Sequence, residues 1–162
     1  MKKLNWLMLA AVLFGNSTFA QPPALNQVYS LDLQTAHLLA DSAKEACKKL
    51  NQNIAVVVVD RGGNPLTAER HELVGPHNLM AAEKKAYTAL STKTSTLVLS
   101  QNSNQNPDAK NLTTVANLLL LGGGVPVRFE NQVIGAIGVA GAGGAQNDNQ
   151  CASKAIETVF HS

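Results

Sequence analysis

The sequence predicts one α/β domain of the α+β type, a five-stranded, mostly antiparallel sheet flanked by helices in the order α-β-β-α-β-β-β-α. Three observations carry this prediction. Residues 54–59 are an almost unbroken β-branched run. Residues 125–129 and 132–140 stand on either side of Glu130-Asn131 as the two arms of a hairpin. Residues 31–50, 77–92 and the C-terminal stretch place apolar side chains three and four apart. Strands joined by hairpins run antiparallel, and amphipathic helices need a sheet face to cover, so the elements assemble as helices packed on a sheet.

The elements follow in chain order. In residues 31–50, Leu33, Ala36, Ala40, Ala43, Cys47 and Leu50 form one stripe, with Asp32 as N-cap. Residues 54–59 are apolar on both faces and read as a strand covered on two sides. Asp60 to Asn64 is a turn, and Leu66 to Arg70 pairs back. Gly75-Pro76 punctuates the chain before a helix over His77–Thr92. Its buried stripe is either Met80, Lys84, Tyr87 and Leu90 or the Ala82, Ala86 and Ala89 set. Thr94 to Ser100 fits either a helical turn or a strand. Residues 101–111 are polar and read as a surface loop, and Leu112 to Leu121 reads as the third strand. In the last strand, Ile134, Ala136, Gly138 and Ala140 share one face, with Val133, Gly135, Ile137 and Val139 on the other. Its small residues leave room for a helix, a second subunit or a flat ligand. Gly141 to Gly144 turns into a final helix capped by Asn147 or Asp148, with Ala152, Ala155, Ile156 and Val159 inward.

Residues 1–20 have the pattern of a secretory signal peptide. Lys2-Lys3 precede an apolar run from Leu4 to Phe14, and the small residues Thr18 and Ala20 precede an expected cut before Gln21. The apolar run is shorter than the roughly 20 residues a transmembrane helix needs. Residues 21–30, with Pro22-Pro23, read as a polar leader to a domain over 31–162. The chain has 13 Lys+Arg against 11 Asp+Glu, and Lys2 and Lys3 account for the difference. The exported form is therefore formally neutral, without the basic footprint of a nucleic-acid partner and without a transmembrane segment. Such a chain is expected in the periplasm or secreted. Two cysteines, Cys47 and Cys151, are either a disulfide or two buried thiols.

The common catalytic signatures are absent from the sequence: no G-x-S-x-G, H-E-x-x-H, Walker loop or C-x-x-C. The Gly141–Gly144 loop lacks dinucleotide spacing and reads as a tight turn. His71, Glu72 and His77 are the densest group of metal-capable side chains, set at a strand end and a helix start that can face one pocket; the alternative is that they are exposed loop residues around a turn. Arg70 and Lys85 are cations for ligand carboxylates, and read equally as solvated side chains or as partners of Glu69 or Glu83. His37 beside the first helix stripe reads as structural, and His161 lies near the chain end.

Four segments together resemble the GlcG/HbpS-like family, also called the haem-degrading or DUF336 family. Val56-Val57-Val58-Val59-Asp60-Arg61-Gly62-Gly63-Asn64-Pro65-Leu66 resembles its V-V-D-x-G-G-x-L hairpin, and Lys85-Ala86-Tyr87-Thr88-Ala89 its K-A-x-T-A helix. Gly123-Gly124-Val125-Pro126-Val127 is similar to its G-G-V-P-I strand start. Ile134 to Gly141, followed by Asp148, is similar to its I-G-A-I-G-V-S-G…D ending. The chain departs from the pattern at Arg70-His71-Glu72-Leu73-Val74, where R-M-D-G-A is usual, at Gly122 for a Pro and at Ala140 for a Ser. The resemblance implies a five-stranded antiparallel sheet as in the PduO C-terminal domain, homo-oligomerisation, and binding of haem or a related tetrapyrrole in haem or iron handling. In that fold the terminal helices lie side by side, which implies a Cys47–Cys151 disulfide. It also implies a haem site drawn from His77, His71, Arg70 and Lys85, with His77 ahead of His71 as iron ligand. Tyr87, water or an interface histidine are the alternatives. A metabolite- or haem-modifying enzyme and an accessory oligomer without a ligand are the competing functions.

Overall fold

The computed structural model describes residues 24–160; the signal-peptide reading over residues 1–20 and His161 lie outside the described residues. Residues 24–32 belong to no helix or strand and lead into α1 (Leu33–Lys48), β1 (Ala55–Asp60), β2 (Pro65–Arg70), α2 (His77–Thr92), α3 (Thr96–Ser103) and α4 (Pro107–Asn111). A 3₁₀ turn at Leu112–Thr114, β3 (Gly124–Phe129), β4 (Gln132–Ala140) and α5 (Ala145–Phe160) complete the chain. The strands form one antiparallel sheet in the order β2-β1-β4-β3.

The central strand explains the layering. Every β1 residue from Ala55 to Val59 is fully buried, so both faces of the sheet must be covered. Val56 and Val58 face α1 and α5, in a cluster with Leu39, Ala43, Ile137 and Val139. Ala55, Val57 and Val59 face α2, against Ala82, Ala86 and Ala89. The alanine set is therefore the inward stripe of α2, and Met80 points out. The space left by the small residues of β4 is filled by α2: a Cβ on Gly138 would overlap the Ala82 carbonyl. On α1, Asp32 accepts from the Thr35 N–H as the N-cap, while Leu33 is exposed and Leu39 takes the inward place.

The sheet has four strands among the described residues, not five. Leu112–Leu121 is apolar enough for a strand, but its backbone is bonded locally: Val115 N–H to Leu112, Leu118 N–H to Val115, and Leu121 N–H to Leu119. The Thr113 and Thr114 hydroxyls also bond back to the carbonyls of Lys110 and Asn111. Beside β3 the Thr96 hydroxyl of α3 accepts the Gly124 N–H. Within Thr94–Ser100 the chain becomes helical from Thr96, with Ser95 as cap, and the polar stretch 101–111 holds the end of α3 and a short helix opened by Asn106-Pro107.

The β3–β4 hairpin turns through Glu130 and Asn131, both with positive φ (43° and 64°), the left-handed pair that a two-residue hairpin favours. Just beyond it the register slips: Arg128 faces Val133 and Val127 faces Gly135, so Ile134 has no partner. This bulge reverses the expected facing of Ile134, which packs with Val127 and Ile137 on the α1/α5 side instead of with Ala136.

α1 and α5 lie side by side on that face, and Cys47 and Cys151, both fully buried, are joined as a disulfide with Cα atoms 5.4 Å apart. The bridge closes a loop with a sequence separation of 104. Loop-closure entropy for a ring of that size amounts to about 4–5 kcal/mol as an upper bound. Thiol titration of denatured, unreduced protein should therefore find no free thiol. The Cys47→Ser/Cys151→Ser variant should unfold at lower denaturant by up to that amount.

Candidate functional site

The β2–α2 connection carries most of the side chains singled out in the sequence. His71 N–H bonds the Ile54 carbonyl, and Val74 N–H bonds the His71 carbonyl, which folds residues 71–74 into a turn. Arg70 braces that turn: its Nη1 donates to the carbonyls of His71 (3.2 Å), Glu72 (3.4 Å) and Val74. The guanidinium is thus partly used on backbone.

The two histidines at this connection differ. His71 Nδ1 accepts the Leu73 N–H at 3.2 Å. A backbone N–H can only donate, so the neutral ring carries its proton on Nε2 and presents a donor there. Metal ligation through Nε2 would need the proton moved to Nδ1 and the turn bond broken. His77, the first residue of α2, is exposed and has no side-chain hydrogen bond among the described residues, so either ring nitrogen is free. Leu73, four residues earlier in the turn, and Met80, three residues later on α2, are 79% and 57% exposed, and with His77 they make up the open rim of this connection. Glu72 Oε2 lies 3.5 Å from His71 Nδ1. No three His, Cys, Asp or Glu side chains come together as a metal cradle among the described residues, so His77, His71 and Glu72 do not form one.

Lys85 is not at a surface. It is 1% exposed, and its Nζ donates to Asp148 Oδ2 at 2.7 Å and to the Val139 carbonyl at 3.0 Å. Asp148 Oδ1 accepts the Ala142 N–H at 2.8 Å. The anion at the N-terminus of α5 is therefore the protein's own carboxylate, and the glycine loop before it, with positive φ at Gly141, Gly143 and Gly144, is a turn around that carboxylate. Asp148 thus serves as the partner of Lys85, and Lys85 is withdrawn from any ligand carboxylate.

On the other side of the connection, between the second half of α1 and the end of β2, lies a cleft of about 320 Å³. It is lined by Lys44, Lys48, Gln52, Asn53, Arg70 and His71, among others. Glu69, on β2, is bonded by Lys44 Nζ at 2.7 Å and by the Thr67 hydroxyl at 3.1 Å. The hydrogen bond from Lys44 holds the Glu69 carboxyl below its usual range against the opposing effect of burial, and Thr67 adds to the lowering. Asp41 and Glu69 together raise Lys44. His37 Nδ1 stands 3.7 Å from Glu69 Oε1, at the edge of this group. Among these lining residues only Arg70 and His71 stand out in the sequence. The rest appear there as the polar face of an ordinary amphipathic helix, and only the packing of α1 beside β2 gathers them.

Two further polar positions are structural. Burial works against ionisation of Asp60, but the hydrogen bonds from Asn64 and Gly62 outweigh it and hold its carboxyl below the ordinary range. Its Oδ1 accepts from the N–H groups of Gly62 and Asn64 and so shapes the β1–β2 turn. The Thr88 hydroxyl donates to the Lys84 carbonyl and accepts the Leu119 N–H, pinning the irregular segment to α2.

Removing one member of the Lys85–Asp148 pair would leave the other charge buried and uncompensated. Lys85→Met or Asp148→Leu alone should cost about 3–5 kcal/mol in chemical denaturation, and the double variant should recover most of that loss.

The family described as "Haem degrading protein HbpS-like" matches residues 31–157. Protein GlcG of Escherichia coli K12 is 34% identical over 110 residues, covering 68% of this chain and 81% of its own. The crystal structure of HbpS superposes with a TM-score of 0.78 at 36% identity, covering 88% of this chain and 99% of that one. The crystal structure of a PduOC:haem complex superposes with a TM-score of 0.70 at 28% identity, covering 80% of this chain and 94% of that one.

Proposed function

The chain belongs to the HbpS-like family, and from that premise we propose that it is an exported protein that binds haem or a closely related tetrapyrrole. The observation that carries the reading is the likeness in fold to PduOC, whose crystal structure is a complex with haem, over 94% of that chain. The residues at the β2–α2 connection fit such a ligand in kind. His77 offers an unengaged imidazole, which is a common axial ligand to haem iron. Leu73 and Met80 offer exposed apolar contact to a porphyrin face. Haem would supply an iron centre able to bind a further ligand or exchange an electron; the protein's part is to hold the ring and give it a nitrogen.

The site assignment narrows accordingly. We place the iron contact at His77, because His71 is committed as an Nε2–H donor by its bond to the Leu73 N–H. Lys85 drops out as a propionate partner, since Asp148 and the Val139 carbonyl occupy it. The rim is open, and a second copy of the chain is the cover this reading expects, which makes the protein a homo-oligomer in its haem-bound form.

Export follows from the sequence pattern of residues 1–20 and is supported by the disulfide, which persists in oxidising compartments and is rare in reducing ones. No helix among the described residues is long and apolar enough to cross a membrane.

Titrating the purified domain with hemin should give a saturable Soret shift, and His77→Ala should abolish the shift or move its maximum. His71→Ala should leave the maximum in place. A His77→Ala protein with the parent's Soret maximum and affinity would remove His77 from the site, and no Soret change at all in the parent would remove haem from the function.

Mass spectrometry of the protein recovered from the periplasm or medium should show a chain beginning at Gln21, as glutamine or pyroglutamate. A chain there that retains Met1 to Ala20 would overturn the processing reading.

A further inference from the structure

We propose that the cleft between α1 and β2 is a carboxylate-binding site, separate from the His77 rim. The cleft is walled by α1 on the α1/α5 side of the sheet, whereas His77 opens the helix that covers the opposite face, and His77 is not among the residues that line it.

The lining is built to donate. Lys48, in the last turn of α1, is exposed and has no ion-pair partner among the described residues. Arg70 uses Nη1 on the turn carbonyls, which leaves Nε and Nη2 without an acceptor among the described residues. His71 is fixed with its donor on Nε2 by the Leu73 N–H. Gln52 and Asn53 add side-chain amides, and the buried Ile54 gives a small apolar floor.

Charges of the opposite sign are largely neutralised. Glu69 is held by Lys44, and Lys44 in turn by Glu69 and Asp41. Glu45 is the remaining carboxylate on the wall, set against two free cations, Lys48 and Arg70. Three carbonyls at the end of α1 are also occupied: Glu45 by Lys49 N–H, Cys47 by Leu50 and Gln52 N–H, and Lys48 by Asn51 N–H.

A cleft of about 320 Å³ with two separate cations and a fixed imidazole donor suits a small acid with two or more carboxylates. The same carboxylate chemistry is carried by the propionates of a tetrapyrrole, so two ligands can reach these donors. The free-acid form of the proposal is independent of the haem reading; the propionate form rests on it.

The test uses the domain with its disulfide intact. In the first arm, citrate is titrated without haem and followed by amide chemical shifts. Saturable shifts centred on residues 48–54 and 70–71, weakened about tenfold in Lys48→Glu, support the free-acid form. His71→Asn should also weaken binding, because the amide oxygen can still accept the Leu73 N–H while the Nε2–H donor is lost. In the second arm, hemin is compared with hemin dimethyl ester. Tighter binding of hemin that disappears in Lys48→Glu supports the propionate form. If citrate gives no saturable shift and Lys48→Glu leaves the preference for hemin over its ester unchanged, the cleft is not a carboxylate site. That outcome leaves the His77 result standing or falling by itself.

Discussion

The buried contact between Lys85 and Asp148 is the point through which the layers of this protein are tied together. Lys85 belongs to the helix on one face of the sheet and Asp148 to a helix on the other. They meet at 2.7 Å beyond the end of β4, where the Val139 carbonyl takes a second hydrogen bond from the ammonium. Carrying two charges into the interior is costly, and the pair is tolerable because each oxygen of the Asp148 carboxylate accepts a hydrogen bond, Oδ2 from Lys85 and Oδ1 from the Ala142 N–H. The geometry fixes three things at once, the depth of α2 on the sheet, the course of the glycine loop after β4 and the start of α5. It also requires close backbone. Any Cβ on Gly123 would press on the Val139 carbonyl and on the Asp148 side chain, so the glycines before β3 are the space in which the pair sits.

That arrangement divides the molecule into a closed side and an open one. Beyond the end of β4 the polar groups are paired with one another, and no described cation there is free for a ligand. At the β2 edge the opposite holds. The strand is covered on one side by the polar face of α1, and the connection to α2 leaves an imidazole, two apolar side chains and a cleft accessible. The side chains proposed to meet a ligand therefore lie at the sheet edge, where two of them, Arg70 and His71, also hold the backbone of the turn. Arg70 shows the boundary between the two roles, since one nitrogen of its guanidinium holds the turn and the others face no acceptor.

Local patterns in the sequence made most of the fold legible. The hairpins, the double-faced central strand and the bounds of α2 and β4 follow from turn residues, β-branched runs and helical spacing, all of which act within a few residues. The failures came where the deciding partner is distant. Leu112–Leu121 has a strand's composition, but the Thr88 hydroxyl and its own local bonds hold it as an irregular segment. Ile134 alternates correctly on paper and is turned over by a bulge opposite Arg128. The site was legible in part. His71, His77 and Arg70 stand out as residue types, but whether each is free depends on a backbone N–H, a helix start and three carbonyls that no spacing rule reports. Lys85 was misplaced for the same reason: a lysine in a helix reads as solvated until the aspartate that buries it, 63 residues later, is found.

The disulfide has a consequence for how the chain carries load. Because it joins the first helix to the last, a pull applied at the two ends runs along α1, across the sulfur bridge and out along α5. All four strands lie inside the bridged span and outside that covalent path, so while the bond is intact the backbone between Cys47 and Cys151 is spared the pull. By the same topology, a protease that cuts the exposed chain around α4 severs the backbone without separating the pieces. The nicked protein remains one covalent molecule, and its two fragments come apart only when a reductant opens the bridge.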